Sequence, residues 1–68
     1  MLLHGAIALV LGENPEGLTA REIAEKINER GLYQRKDGAD VPPSQISARI
    51  HNHPRTFTKK GPKYYLDH

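Results

Sequence analysis

The chain has no cysteine and no tryptophan, one phenylalanine and one methionine. Without cysteine, neither a disulfide nor a thiolate zinc site can serve as the staple that small domains often need. At 68 residues the chain makes one domain, and a chain this short buries only about 60% of the surface it exposes when unfolded. Its large apolar residues are therefore committed to a core, and helix packing must hold the fold. No long apolar run is present either. The opening "LLHGAIALVLG" is too short to span a bilayer and lacks a basic leader segment, so it reads as a core helix of a cytosolic protein. Catalytic patterns are also missing. Ser44 and Ser47 have no plausible base and orienting acid, and there is no glycine-rich phosphate loop or other cofactor motif, so neither an enzyme nor a bound cofactor is expected. Membrane-surface binding is disfavoured because the basic residues do not line an apolar-faced helix.

What the chain does have is a charge asymmetry. The net charge of +2 is small, but distribution matters more than the sum. Residues 1–42 carry five basic and seven acidic side chains, a net of −2. Residues 43–68 carry Arg49, Arg55, Lys59, Lys60 and Lys63 against Asp67 alone, a net of +4. The positive field belongs to the last third. A lysine-rich hairpin that keeps an edge strand from aggregating would look the same on charge alone.

Periodicity supplies the elements. Leu3, Ala6, Ile7 and Val10 recur at helical spacing, with Leu2 and Leu11 widening the stripe, which predicts a first helix over residues 2–12. "GENPEG" breaks it. Thr19, with Glu22 three residues on, forms a capping box, and Leu18 and Ile23 suit the hydrophobic staple around it. A second helix follows over residues 20–30, burying Ala20, Ile23, Ala24 and Ile27 and ending where Gly31 can turn left-handed. Its outer face carries Arg21, Glu22, Glu25, Lys26 and Glu29, with Glu22 and Lys26 spaced to pair. That mixed, slightly acidic face does not suit phosphate. The loop "GLYQRKDGADVPP" turns at Lys36-Asp37-Gly38, with Leu32, Tyr33 and Val41 available to pin it to the core. Proline is favoured in a first helical turn, so a third helix of about ten residues begins near Pro43 or Ser44 and is closed by Pro54. From Arg55 the period becomes two. Phe57, Lys59 and Lys60, a Gly61-Pro62 turn, and Tyr64 with Leu66 on one face and Tyr65 opposite predict a hairpin.

In the third helix Ile46 and Ile50 define the buried direction, with Ser47 and Arg49 on the flanks. Ser44, Gln45, Ala48, His51 and Asn52 then face solvent, a strip with small and amide side chains and no carboxylate. Such a strip beside a basic hairpin suits an anion whose edges carry hydrogen-bonding groups, and DNA fits. The histidines of "HNHP" are two apart, about 200° around a helix, so His51 and His53 cannot share one ion if the helix is intact. A helical zinc pair wants a spacing of three or four. No metal is expected. His51 reads as a surface or phosphate contact, and His53 as a helix-terminal residue packed under the hairpin, where the helix dipole favours histidine.

The runs "LTAREIAEKINERGLY", "VPPSQISARIHNHPRTF" and "GPKYYL" resemble the HARE-HTH domain, a winged helix-turn-helix shared by vertebrate homeobox proteins, Asx-like chromatin proteins and bacterial restriction endonucleases. The resemblance extends from about Ile7 to Leu66 and rests above all on "AREIA" and "SARI". It implies a mostly α fold of three helices with a small β-hairpin, a single winged helix-turn-helix over residues 1–68, and a DNA-recognition role that links chromatin or DNA-modifying activities to DNA. Under it, Ser44, Gln45, Ala48, Arg49 and Asn52 fall on the recognition helix, Lys59, Lys60 and Lys63 on the wing, and Arg55 between them. The implied partner is double-stranded DNA, in transcription regulation or restriction-modification, at the nucleoid in a bacterium or in the nucleus of a eukaryote. The same fold in the delta subunit of bacterial RNA polymerase is associated with protein contact, and fold does not fix function. The alternative is thus a protein-interaction module that recruits a polymerase or nuclease through the hairpin or the "GLYQRKDGADV" loop, with Tyr33 or Tyr65 as aromatic anchors.

Overall fold

A computed structural model of the chain describes residues 1–67. Helix α1 (Leu3–Gly12) is followed by a two-residue strand β1 (Leu18–Thr19), helix α2 (Ala20–Arg30), helix α3 (Pro43–His51), and strands β2 (Phe57–Lys60) and β3 (Lys63–Leu66). The strands form one antiparallel sheet in the order β1-β3-β2. Three helices and a three-stranded sheet with a projecting β2–β3 hairpin make a winged helix-turn-helix. Among the described residues, no helix is long and apolar enough to cross a membrane.

Local chemistry accounts for the boundaries. Thr19 Oγ1 accepts from the Glu22 amide at 3.2 Å while Glu22 Oε1 accepts from the Thr19 amide at 2.9 Å, so the capping box closes in both directions. Because that carboxylate is engaged at the cap, the i,i+4 ion pair on this face is Arg21–Glu25, at 3.3 Å, and not the anticipated Glu22–Lys26. Gly31 ends α2 at φ 62°, and the Leu32 amide reaches back to the Ile27 carbonyl, the Schellman arrangement that left-handed glycine permits. Pro42 and Pro43 stand at the cap and first position of α3, where a missing N–H costs nothing.

The core gathers Leu3, Ile7, Val10 and Leu11 of α1, Ile23 and Ile27 of α2, Ile46 and Ile50 of α3, and Val41, Phe57 and Tyr64 from loop and sheet. One expectation is corrected. Leu2 does not widen the buried stripe: it caps α1 in an extended conformation, outside the first helical turn, and is 69% exposed. The predicted hairpin forms, β2 pairing with β3, and gains a third strand. Leu18 and Thr19 pair with Tyr64 and Lys63, which ties the wing to the start of α2. Nothing local announces β1, because two residues are too few to show an alternation.

Candidate nucleic-acid interface

Helix α3 turns Ile46 and Ile50 into the core and leaves Ser44, Ala48, His51 and Asn52 exposed, with Ser47 and Arg49 half-buried on the flanks. Gln45, expected on the solvent strip, is instead half-buried beside the preceding loop, where it lines a small cleft of about 260 Å³ with Tyr33, Arg35, Lys36 and Asp37. The outward surface of α3 therefore carries hydroxyl, methyl, imidazole and amide groups and no carboxylate.

The hairpin divides its cations between two faces, since neighbouring residues of a strand point to opposite sides. Lys59 is opposite Tyr64 in register, and its ammonium lies 5.8 Å from the centre of the Tyr64 ring. Lys60 is directly opposite Lys63 at the mouth of the Gly61-Pro62 turn. Like charges facing one another across strands are mutually destabilising, so the wing tip concentrates positive charge. Lys63 also lies near enough to Glu22 to help hold that carboxyl below its ordinary value, although the main cause is the hydrogen bond from the Thr19 amide.

The ion pairs among the described residues all fall before α3, where Lys26 and Lys36 are the cations without one. Arg21, Arg30 and Arg35 pair with Glu25, Glu13 and Asp37. Arg49, Arg55, Lys59, Lys60 and Lys63 form no ion pair among the described residues. The candidate residues thus lie on α3, on the link that follows it and on the hairpin, with Arg55, Lys59 and Lys60 exposed and Lys63 half-buried.

A cleft of about 560 Å³ separates α3 from the wing. Ile50, Pro54 and Phe57 supply its apolar lining, while Ser47, His51, Lys59 and Tyr64 supply polar groups. Tyr64 Oη and Ser47 Oγ lie 3.3 Å apart across it. Neither Ser47 nor Tyr64 stands out in sequence as an interface residue, because Ser47 flanks a core position and Tyr64 occupies one.

The two histidines part company, His51 to the cleft and His53 to α1. The expectation that His53 packs under the hairpin is corrected: its ring stacks on His4 of α1, with centroids 4.6 Å apart and planes 24° from parallel. Helix α3 ends at His51, which releases His53 from the helical path and lets it turn toward α1. Among the described residues no cluster of three or more His, Cys, Asp or Glu side chains is placed to hold a metal ion. The aromatic side chains considered as anchors for a protein partner are both half-buried. Tyr33 packs against the core, and Tyr65 covers Gly17.

The three helices and the small antiparallel sheet define a winged helix-turn-helix. The family model for HARE-HTH, described as the helix-turn-helix domain of ASXL and restriction endonuclease proteins among others, matches residues 1–66. The chain belongs to that family, a DNA-binding and not a catalytic one. No curated protein and no solved structure matches the chain.

Proposed function

We propose that the protein is a double-stranded DNA-binding module that lays α3 in the major groove and sets the basic hairpin against flanking phosphate. The observation that carries this reading is the local excess of positive charge: five cations without an ion-pair partner among the described residues, in a stretch whose one acid is Asp67, border a helix face with no carboxylate. Small Ser44 and Ala48 allow close approach to the groove floor, and Asn52 and Arg49 are of the types that read adenine and guanine edges. Arg55, Lys59, Lys60 and Lys63 serve phosphate. In a larger assembly such a module would bring chromatin or restriction-modification activities to DNA.

The test is binding to a mixed-sequence duplex as a function of salt, followed by fluorescence anisotropy. Four phosphate contacts predict that log affinity falls with log salt at a slope of about −4. A slope near zero, or no binding at low salt, contradicts the proposal.

A further inference from the structure

The cleft between α3 and the wing has a feature that groove reading and wing lysines do not use. Its polar groups are all donors or neutral, its lining contains no carboxylate, and its floor is apolar. Ser47 and His51 are four residues apart on α3, so they stand one turn above the other on the same side. Lys59 closes the opposite wall, held over the Tyr64 ring.

The hydroxyl pair sets the chemistry. Tyr64 is 8% exposed, and its Oη donates to Ser47 Oγ at 3.3 Å. With its oxygen accepting from tyrosine, Ser47 keeps its own proton free to donate outward, and a donor whose oxygen already accepts is a stronger donor. An anion entering the cleft meets the Ser47 hydroxyl and the Lys59 ammonium, with the His51 imidazole at the rim. The apolar floor of Ile50, Pro54 and Phe57 suits the carbon-rich sugar attached to a phosphate and offers nothing to a second charge.

We infer that this cleft seats one sugar–phosphate unit of the bound DNA strand, with Ser47 and Lys59 on the phosphate and Tyr64 acting through Ser47 as a positioning residue. The inference rests on the DNA-binding reading and deepens it. The cleft lies between the two elements assigned to groove and phosphate, so a duplex that touches both must pass its backbone across the opening. It adds Ser47 and Tyr64 to an interface otherwise read from exposed and charged side chains alone.

Thr and Val at position 47 have the same shape and differ in the hydroxyl, which separates the hydrogen bond from packing. Binding of a mixed-sequence duplex is measured for both across a range of salt. Ser47→Thr keeps wild-type affinity, while Ser47→Val loses about tenfold, the value of a hydrogen bond to a charged group, for every sequence and with an unchanged salt slope, because no cation has been removed. Tyr64→Phe loses about threefold, and Tyr64→Phe combined with Ser47→Ala is no weaker than Ser47→Ala alone, since the tyrosine acts only through the serine. A merely structural tyrosine would give additive losses instead. Equal affinity of the Thr and Val variants overturns the inference while leaving the DNA reading intact. Failure of the wild type to bind duplex overturns both. Displacement of duplex by deoxyadenosine monophosphate at matched phosphate concentration identifies a free-nucleotide pocket and also overturns it.

Discussion

Asn28 and Val41 exchange two hydrogen bonds across 13 residues of chain: the Val41 amide donates to Asn28 Oδ1 at 2.9 Å, and Asn28 Nδ2 donates to the Val41 carbonyl at 3.1 Å. The side-chain amide imitates a strand neighbour for a loop residue that is only 2% exposed. It fixes the end of the α2–α3 loop, and with it the point where α3 begins. Asn28→Ala leaves two buried backbone groups unpaired. It should cost about 2 kcal/mol and lower the thermal midpoint by roughly 10 °C for a domain of this size, measured by circular dichroism. A midpoint within about two degrees of wild type would remove Asn28 as the loop's anchor.

Two glycines with positive φ should respond differently to alanine. Gly31, at φ 62°, has open space where a Cβ would go, so Gly31→Ala costs only the left-handed backbone, about 1 kcal/mol. Gly17, at φ 87°, lies under Tyr65, and a Cβ there would overlap the ring. Gly17→Ala should therefore cost at least about 2 kcal/mol, partly recovered when Tyr65→Ala is added. Urea melts of the three variants check the order, and equal losses at both glycines would contradict the packing described.

The capping box makes part of the acid response specific. The Glu22 carboxyl is held below its ordinary value, first by the hydrogen bond from the Thr19 amide. A depressed folded-state value means that stability from this group is complete above the unfolded value and is lost as pH falls through the lower, folded one. The stability of the wild type should decline over that acidic interval, and Glu22→Gln should remove this part of the decline. Identical acid profiles in wild type and variant would exclude Glu22 as its source. Thr19→Ala should separately cost about 1 kcal/mol at neutral pH.

The proposed division of labour between wing and helix separates affinity from sequence preference. Lys59→Ala with Lys60→Ala should weaken binding to all duplexes alike and reduce the salt slope by about two, whereas Asn52→Ala should change which sequences are preferred and leave the slope alone. Competition among a panel of duplexes distinguishes the two. Unchanged affinity and preference in both variants would remove this surface from the interface.

Most of the fold is legible in the sequence because its signals are local. The capping box at Thr19 and Glu22, the left-handed Gly31 and the paired prolines at 42 and 43 each act within one turn of where they stand. What escapes is non-local. Strand β1 exists because Leu18 and Thr19 find β3 near the far end of the chain, Asn28 looks like one more polar helix residue until Val41 is beside it, and His53 meets His4 from the opposite end of the sequence. The exposed candidates Ser44, Ala48 and Asn52 follow from helical periodicity alone, whereas Gln45 is half-covered by a loop that periodicity cannot place. The cleft is equally hidden, since Ser47 and Tyr64 become neighbours only when the wing folds against the helix.

The most direct test of DNA binding through α3 and the wing is an amide chemical-shift titration of labelled protein with a short mixed-sequence duplex, at low and at moderate salt. Binding through this surface predicts shifts concentrated on residues 44–63 that fade as salt rises. Shifts centred on α1 or the outer face of α2, or none at low salt where nonspecific binding is strongest, would contradict it.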